Sequence, residues 1–224
     1  MRVFEIFRSI QGETSRAGLP MNFVRLAGCD LACAYCDTVP ARDMRAGREM
    51  SVAEVLAAIE RPALPWVAIT GGEPLLQVRE VNAFIAALLE AKGSGPLRLK
   101  GPDPFRGRGV LVETSGAHSI DALDPRAVRI VDVKTPGSGM VERMNWRNLD
   151  LVRPEDEVKF VLTGREDYEW AKGVAARHSL PGRTTVLFGA AEPALPAAEL
   201  ARWIIEDGLA VRLNLGIHKY LRLP

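Results

Sequence analysis

Cysteine and histidine are scarce in this chain of 224 residues: there are three of each, and no cysteine lies outside the stretch from Cys29 to Cys36. An odd, clustered set excludes a disulfide framework and points to a reducing compartment, where thiolates stay available to metal. An excess of charge of one sign is lacking too. Lys plus Arg total 29 against 28 Asp plus Glu, a balance without the basic footprint of nucleic-acid binding or of an anionic membrane surface. No run approaches the roughly 18 apolar residues that span a bilayer. Arg2, Glu5 and Arg8 interrupt Met1 to Ile10 where a signal peptide needs an apolar segment. What remains is a cytoplasmic protein acting on small molecules, with no nucleic-acid or membrane partner. The length suits one domain, 1–224, of barrel or doubly wound type.

Against this background the segment Gly28-Cys29-Asp30-Leu31-Ala32-Cys33-Ala34-Tyr35-Cys36-Asp37-Thr38 carries all the thiol chemistry. Three thiolates spaced C-x3-C-x2-C fall short of the four that close a structural zinc site or fully ligate an iron-sulfur cube, so one coordination position is left open. A zinc knuckle would have to borrow a histidine, and His118, His178 and His218 all lie more than 80 residues beyond Cys36.

The rest of the chain reads largely as strand followed by helix. Strands are expected at Val3–Phe7, Asn22–Ala27, Trp66–Thr70, Val110–Thr114, Val128–Lys134, Glu157–Thr163, Thr184–Phe188 and Leu209–Leu215, from apolar runs and period-2 alternation. Ser51-Val52-Ala53-Glu54 is a capping box opening a helix that Pro62 stops, and Thr163 to Glu166 reads as a second box before a helix to about His178. Helices are also expected over 77–91, with Val81, Phe84, Ile85, Leu88 and Leu89 inward, and over Ala197–Glu206. Residues 93–109, rich in Gly, Pro and Arg, read as a loop insertion. This alternation makes an α/β fold whose parallel sheet curls into a full or partial barrel, with ligands at the C-terminal ends of the strands.

Several residues at those ends have two readings. Gln11-Gly12-Glu13 is either a turn or part of a site, and Arg25 either snorkels or clamps a carboxylate bidentately beside the cysteine loop. The Thr38 hydroxyl either caps a turn or ligates a hard cation such as Mg2+. Asp132 and Lys134 share a strand face, as an ion pair or as contacts to a nucleotide. His218 is a surface group or a rim ligand.

The string C-x3-C-x-aromatic-C, with Gly71-Gly72-Glu73-Pro74 after a downstream strand, resembles the radical S-adenosylmethionine superfamily. That resemblance implies a 4Fe-4S cluster on Cys29, Cys33 and Cys36, with S-adenosylmethionine on the fourth iron. Ser9 to Glu13, Arg25, Cys36-Asp37-Thr38, Thr70 to Pro74, Glu113 to Gly116 and His218-Lys219 further resemble the 7-carboxy-7-deazaguanine synthase family of the queuosine pathway, across nearly the whole chain. The family implies a modified radical core of partial (β/α)6-barrel type and a lyase. Its reaction is the ring contraction of 6-carboxy-5,6,7,8-tetrahydropterin to 7-carboxy-7-deazaguanine, with ammonia released. Carried over by residue, Tyr35, Gly72, Ser115, Asp132, Val133 and Lys134 contact S-adenosylmethionine. Ile10, Gln11, Gly12, Glu13, Arg25, Thr70, His218 and the C-terminal carboxylate of Pro224 hold the pterin, and Thr38 ligates Mg2+. A flavodoxin- or ferredoxin-type electron donor is implied, and a homodimer is the base-rate expectation. Phe188-Gly189 departs from the Gln-Pro of many members, leaving the cofactor contacts there open. A glycyl-radical activase is the alternative within the superfamily and a noncatalytic zinc module the alternative outside it.

Overall fold

Strands buried on both faces are nearly continuous in Val, Ile, Leu and Ala, and Trp66-Val67-Ala68-Ile69 and Val110-Leu111-Val112 have that composition. In the computed structural model, which describes residues 1–59, 64–91 and 109–223, such runs form the centre of one mixed sheet. Its strands are β1 (Arg2–Ile10), β2 (Pro20–Leu26), β3 (Arg48–Glu49), β4 (Trp66–Gly71), β5 (Gly109–Thr114), β6 (Val128–Val133), β7 (Glu157–Leu162), β8 (Thr185–Ala190) and β9 (Arg212–Asn214). The order is β3-β1-β2-β4-β5-β6-β7-β8-β9. From β2 onward every neighbouring pair is parallel, while β1 and β3 add antiparallel at one end.

Because each new parallel strand joins on the same side and such crossovers are right-handed, the connections all cover one face. The sheet curls around the other, giving the expected partial barrel. The outer face packs on helices α1 (Val52–Ile59), α2 (Val78–Ala91), α3 (Asn148–Leu151), α4 (Arg165–Arg177) and α5 (Ala197–Glu206); α6 (Ile217–Leu221) follows β9. Val24, Leu26, Val67, Ile69, Val110 and Val112 belong to this outer core, with Val81, Phe84 and Ile85 of α2 fully buried against it. Each such side chain contributes about 1.5–3 kcal/mol. The inner face is filled at its N-terminal end by Met21, Phe23, Trp66, Ala68, Leu111, Val128 and Ile130, which leaves the C-terminal half free for polar groups.

The structure corrects several boundaries. β1 continues through Ser9 and Ile10, paired to Met21 and Pro20, and β9 keeps only three residues. The connection from β5 to β6 holds a single 3₁₀ turn, and that from β6 to β7 two such turns and the four-residue α3, so strict strand-helix alternation fails there. The box at Ser51 forms, with Glu54 accepting from the Ser51 N–H at 2.7 Å. The second does not: Thr163 donates to Asp167 rather than Glu166, because Gly164 starts α4 one residue later. The Pro62 stop and the 93–108 part of the expected insertion lie outside the described residues, while Gly109 begins β5.

The β1–β2 connection does more than turn. It crosses to the far strands, where Thr14 N–H donates to Asn214 at 2.9 Å and Ser15 N–H to Glu157 at 2.9 Å, with Arg16 on the same carboxylate at 2.6 Å. A buried Arg-Glu pair of this kind is costly to break from one side, so the crossing fixes where residues 11–13 lie.

Candidate active site

Period 2 within the strands turns Arg25, Thr70, Glu113, Asp132 and Lys159 toward the inner face above the apolar plug. Together with the cysteine loop and α6 they line a cavity of about 540 Å³, within the range of small-molecule sites.

The cysteine loop forms one wall. Cys29, Cys33 and Cys36 are unpaired, half-buried and face the cavity. Backbone bonds pin the loop: Gly28 N–H to Ala41 O at 2.8 Å, Cys29 N–H to Arg42 O at 3.0 Å and Ala34 N–H to Ser138 O at 3.1 Å. Asp30 accepts from Arg143 at 2.8 Å and contacts His118 at 3.2 Å. Among the described residues no three His, Cys, Asp or Glu side chains meet at an ion-sized position; the three thiols share a loop and a cavity wall. Burial pushes the thiols of Cys29 and Cys33 up, countered at Cys33 by Lys134, so metal binding must release their protons. Among the described residues, two buried polar atoms beside them have no hydrogen-bond partner, the Tyr35 hydroxyl and Asp132 Oδ1. Three soft donors with unspent polar atoms alongside fit an iron-sulfur cluster carrying a polar organic ligand.

The Gly71-Gly72-Glu73-Pro74 turn abuts this loop. A Cβ on Gly72 would lie 1.9 Å from the Gly28 carbonyl oxygen, and Glu73 N–H donates to that oxygen at 2.7 Å. The fully buried Glu73 carboxylate accepts from Leu75 N–H at 2.8 Å, Thr114 Oγ1 at 2.8 Å, Ser115 N–H at 2.7 Å and the Ser115 hydroxyl. One side chain thus ties the ends of β4 and β5 together.

The opposite wall is charged. Lys159 donates to Glu13 at 2.9 Å and lies 3.3 Å from Asp132, which pairs with Lys134 at 3.0 Å. Although burial alone would depress it, Glu13, Asp132 and Glu113 hold Lys159 well above its ordinary value. Lys159 in turn holds Glu13 low. Asp132 also stays low, burial being outweighed by Lys134 and Lys159. Glu113 behaves oppositely: burial pushes it up despite Lys159, and it accepts from Gln11 Nε2 at 3.2 Å and Thr70 Oγ1 at 2.9 Å. Arg25 packs over Phe7, with Nε 3.3 Å from Glu5 but, among the described residues, in no hydrogen bond. Burial lowers His218, whose ring lies against Gly12.

Of the residues singled out in the sequence, Ile10, Gln11, Gly12, Glu13, Arg25, Tyr35, Thr38, Thr70, Gly72, Ser115, Asp132, Lys134 and His218 all line this cavity with the three cysteines. The Thr38 hydroxyl makes no capping bond. Val133 differs: its side chain points outward into the core, 3 % exposed, which leaves only its main chain toward a ligand. Pro224 lies outside the described residues. Gly189 lines the cavity while Phe188 is buried in the outer core. Lys159 as a wall residue is not singled out by the sequence, and Glu113 stands there only in the Glu113 to Gly116 pattern, with no role of its own. Their signal was a charged residue inside an otherwise apolar parallel strand.

A cluster-ready cysteine loop at the mouth of a partial parallel barrel defines a radical S-adenosylmethionine protein, and the Radical SAM superfamily pattern matches residues 23–133. Full-length comparison is narrower. The chain is 38 % identical to 7-carboxy-7-deazaguanine synthase from Koribacter versatilis, covering all of this chain and 98 % of that protein. It is also 38 % identical to the synthase from Chlorobaculum tepidum, over 100 % and 95 %. The chain belongs to the 7-carboxy-7-deazaguanine synthase family. A solved structure, QueE from Escherichia coli, superposes with a TM-score of 0.67 at 24 % identity, covering 95 % of this chain and 92 % of that one, and supports the fold.

Proposed function

We propose that this chain is a radical S-adenosylmethionine lyase. It contracts the ring of 6-carboxy-5,6,7,8-tetrahydropterin to 7-carboxy-7-deazaguanine, releasing ammonia, in queuosine biosynthesis. The observation that carries the reading is the convergence on one cavity of three unpaired thiols with Glu13, Arg25, Thr70 and His218, in a member of this family. When bound, a 4Fe-4S cluster with S-adenosylmethionine supplies a carbon-centred radical able to take hydrogen from C6 of the pterin.

The chain's own residues then bind, orient and shield. Cys29, Cys33 and Cys36 hold the cluster, while Tyr35, Gly72, Ser115, Asp132, Lys134 and the main chain at Val133 hold S-adenosylmethionine. Glu13 suits the paired N–H donors of the pterin's amino edge, since an ionised carboxylate only accepts. Arg25 takes the substrate carboxylate, and Gln11, Gly12, Ile10, Thr70 and His218 complete the enclosure. Thr38 offers an uncommitted hydroxyl to Mg2+, a hard cation that takes oxygen ligands. Such enclosure fixes the reacting hydrogen and excludes competing donors. The working form is a cytoplasmic homodimer served by a flavodoxin- or ferredoxin-type donor, in keeping with thiols that stay unpaired.

The test is anaerobic reconstitution with iron and sulfide, followed by S-adenosylmethionine, reductant, Mg2+ and the carboxypterin. The expected result is 7-carboxy-7-deazaguanine by mass spectrometry. Cleavage of S-adenosylmethionine without product overturns the substrate assignment alone.

A further inference from the structure

Lys159 touches both sides of the charged wall. Its register partner on β6 is Asp132, 3.3 Å from Nζ, and the same ammonium donates to Glu13 Oε2 at 2.9 Å across the cavity. Among the described residues Glu13 Oε1 accepts no hydrogen bond, and the side chain keeps 23 % of its surface open. The carboxylate is therefore held from one side and presented on the other.

We infer that Lys159 is a positioning residue that sets ring-edge specificity: it fixes Glu13 as an acceptor-only carboxylate, so the cavity takes a heterocycle edge with adjacent N–H donors and rejects one presenting a carbonyl. The inference rests on the pterin reading of the cavity and goes beyond it by naming what selects the amino edge. An ionised carboxylate has lone pairs and no proton to give. The 2-amino group and N3–H of a pterin face it as donors, whereas a 2,4-dioxo ring sets a carbonyl oxygen against it with no hydrogen between them. Remove the Lys159 ammonium, and Glu13 shares the cavity wall with Asp132, Glu113 and Asp37, while the cations that remain are each beside another carboxylate: Lys134 at Asp132, Lys219 at Asp37 and Arg25 at Glu5. Burial of like charges favours a neutral carboxyl. A protonated Glu13 both donates and accepts, and the distinction between the two edges is lost.

The experiment measures equilibrium dialysis of two unreactive aromatic ligands, 6-carboxypterin and its 2,4-dioxo counterpart 6-carboxylumazine, against reconstituted enzyme with S-adenosylmethionine. Wild type is expected to prefer the pterin by about tenfold or more, the scale of one satisfied against one opposed polar contact. Lys159→Met brings the two affinities to within about threefold, and Lys159→Arg, which keeps the cation, retains the preference. Lys159→Gln serves as the neutral variant if the methionine protein fails to retain iron and a wild-type circular dichroism spectrum. A folded neutral variant with wild-type preference overturns the inference alone. Wild type that binds neither ligand overturns the pterin reading, and the inference with it.

Discussion

The ring of His218 fills the space that a side chain on residue 12 would need: a Cβ on Gly12 would lie 1.6 Å from Nδ1. Next to this contact the Ile217 N–H donates to the Gly12 carbonyl at 2.9 Å. The first loop of the chain and its last helix therefore close on each other over the cavity, joining the β1 side of the open sheet to the β9 side.

Gly12→Ala forces one partner to move. Overpacking of this kind costs about 1–3 kcal/mol, and the expected outcome is a lowered denaturation midpoint with a raised KM for the pterin. In a His218→Ala background the same substitution is expected to cost little further stability. A double-mutant cycle checks this, because contacting residues are non-additive.

Glu73→Ala removes the acceptor shared by Leu75, Thr114 and Ser115. Leaving several buried donors unsatisfied costs about 1–3 kcal/mol for each. A melting temperature lower by at least roughly 6 °C, at about 2–4 °C per kcal/mol for a chain of this size, is expected, together with weakened S-adenosylmethionine binding as the end of β5 loosens. Calorimetry and equilibrium binding read the two effects separately.

Much of this was legible before the fold was seen. Continuous apolar runs marked the parallel strands, and the cysteine spacing marked the cluster loop. What stayed hidden was what one dimension does not encode. Lys159 reads as an ordinary strand residue, and Glu113 only as part of a strand-end segment, since the curl of the sheet is what brings them to face Glu13 and Thr70. Thr163 took Asp167 as its partner because both residues 166 and 167 are acidic and the start of α4 decides between them. No helix is expected from the sequence at Ile217–Leu221, because α6 draws support from Gly12, some 200 residues away in the chain.

Glu113 gives a pH signature. Burial raises it above the ordinary carboxylate range, so between about pH 4.5 and its folded-state pKa the native protein binds more protons than the unfolded chain. Its contribution is present below that window and is lost as pH rises through it. Glu13 and Asp132, held low, contribute in the opposite sense, present above the ordinary carboxylate value and lost on acidification. Urea midpoints from pH 4 to 7 are expected to show the Glu113 decline in wild type and not in Glu113→Gln.

Thr38→Ala is expected to change stability by no more than about 0.5 kcal/mol, as its hydroxyl makes no capping bond. Absorbance near 400 nm from the cluster is expected to stay at the wild-type level, while the proposed stimulation of turnover by Mg2+ is expected in wild type and not in the variant. A Mg2+ titration of product formation, read beside the absorbance, tests both halves.

On the proposed function, this cavity delivers the C6 hydrogen of a carboxypterin to the radical chemistry of the cysteine loop. Reconstituted enzyme given 6-carboxy-5,6,7,8-tetrahydropterin deuterated at C6 tests it most directly, with S-adenosylmethionine recovered and analysed by mass spectrometry. The expected result is 7-carboxy-7-deazaguanine together with deuterium in the recovered S-adenosylmethionine. Unlabelled S-adenosylmethionine, or its cleavage with the pterin returned unchanged, would contradict it.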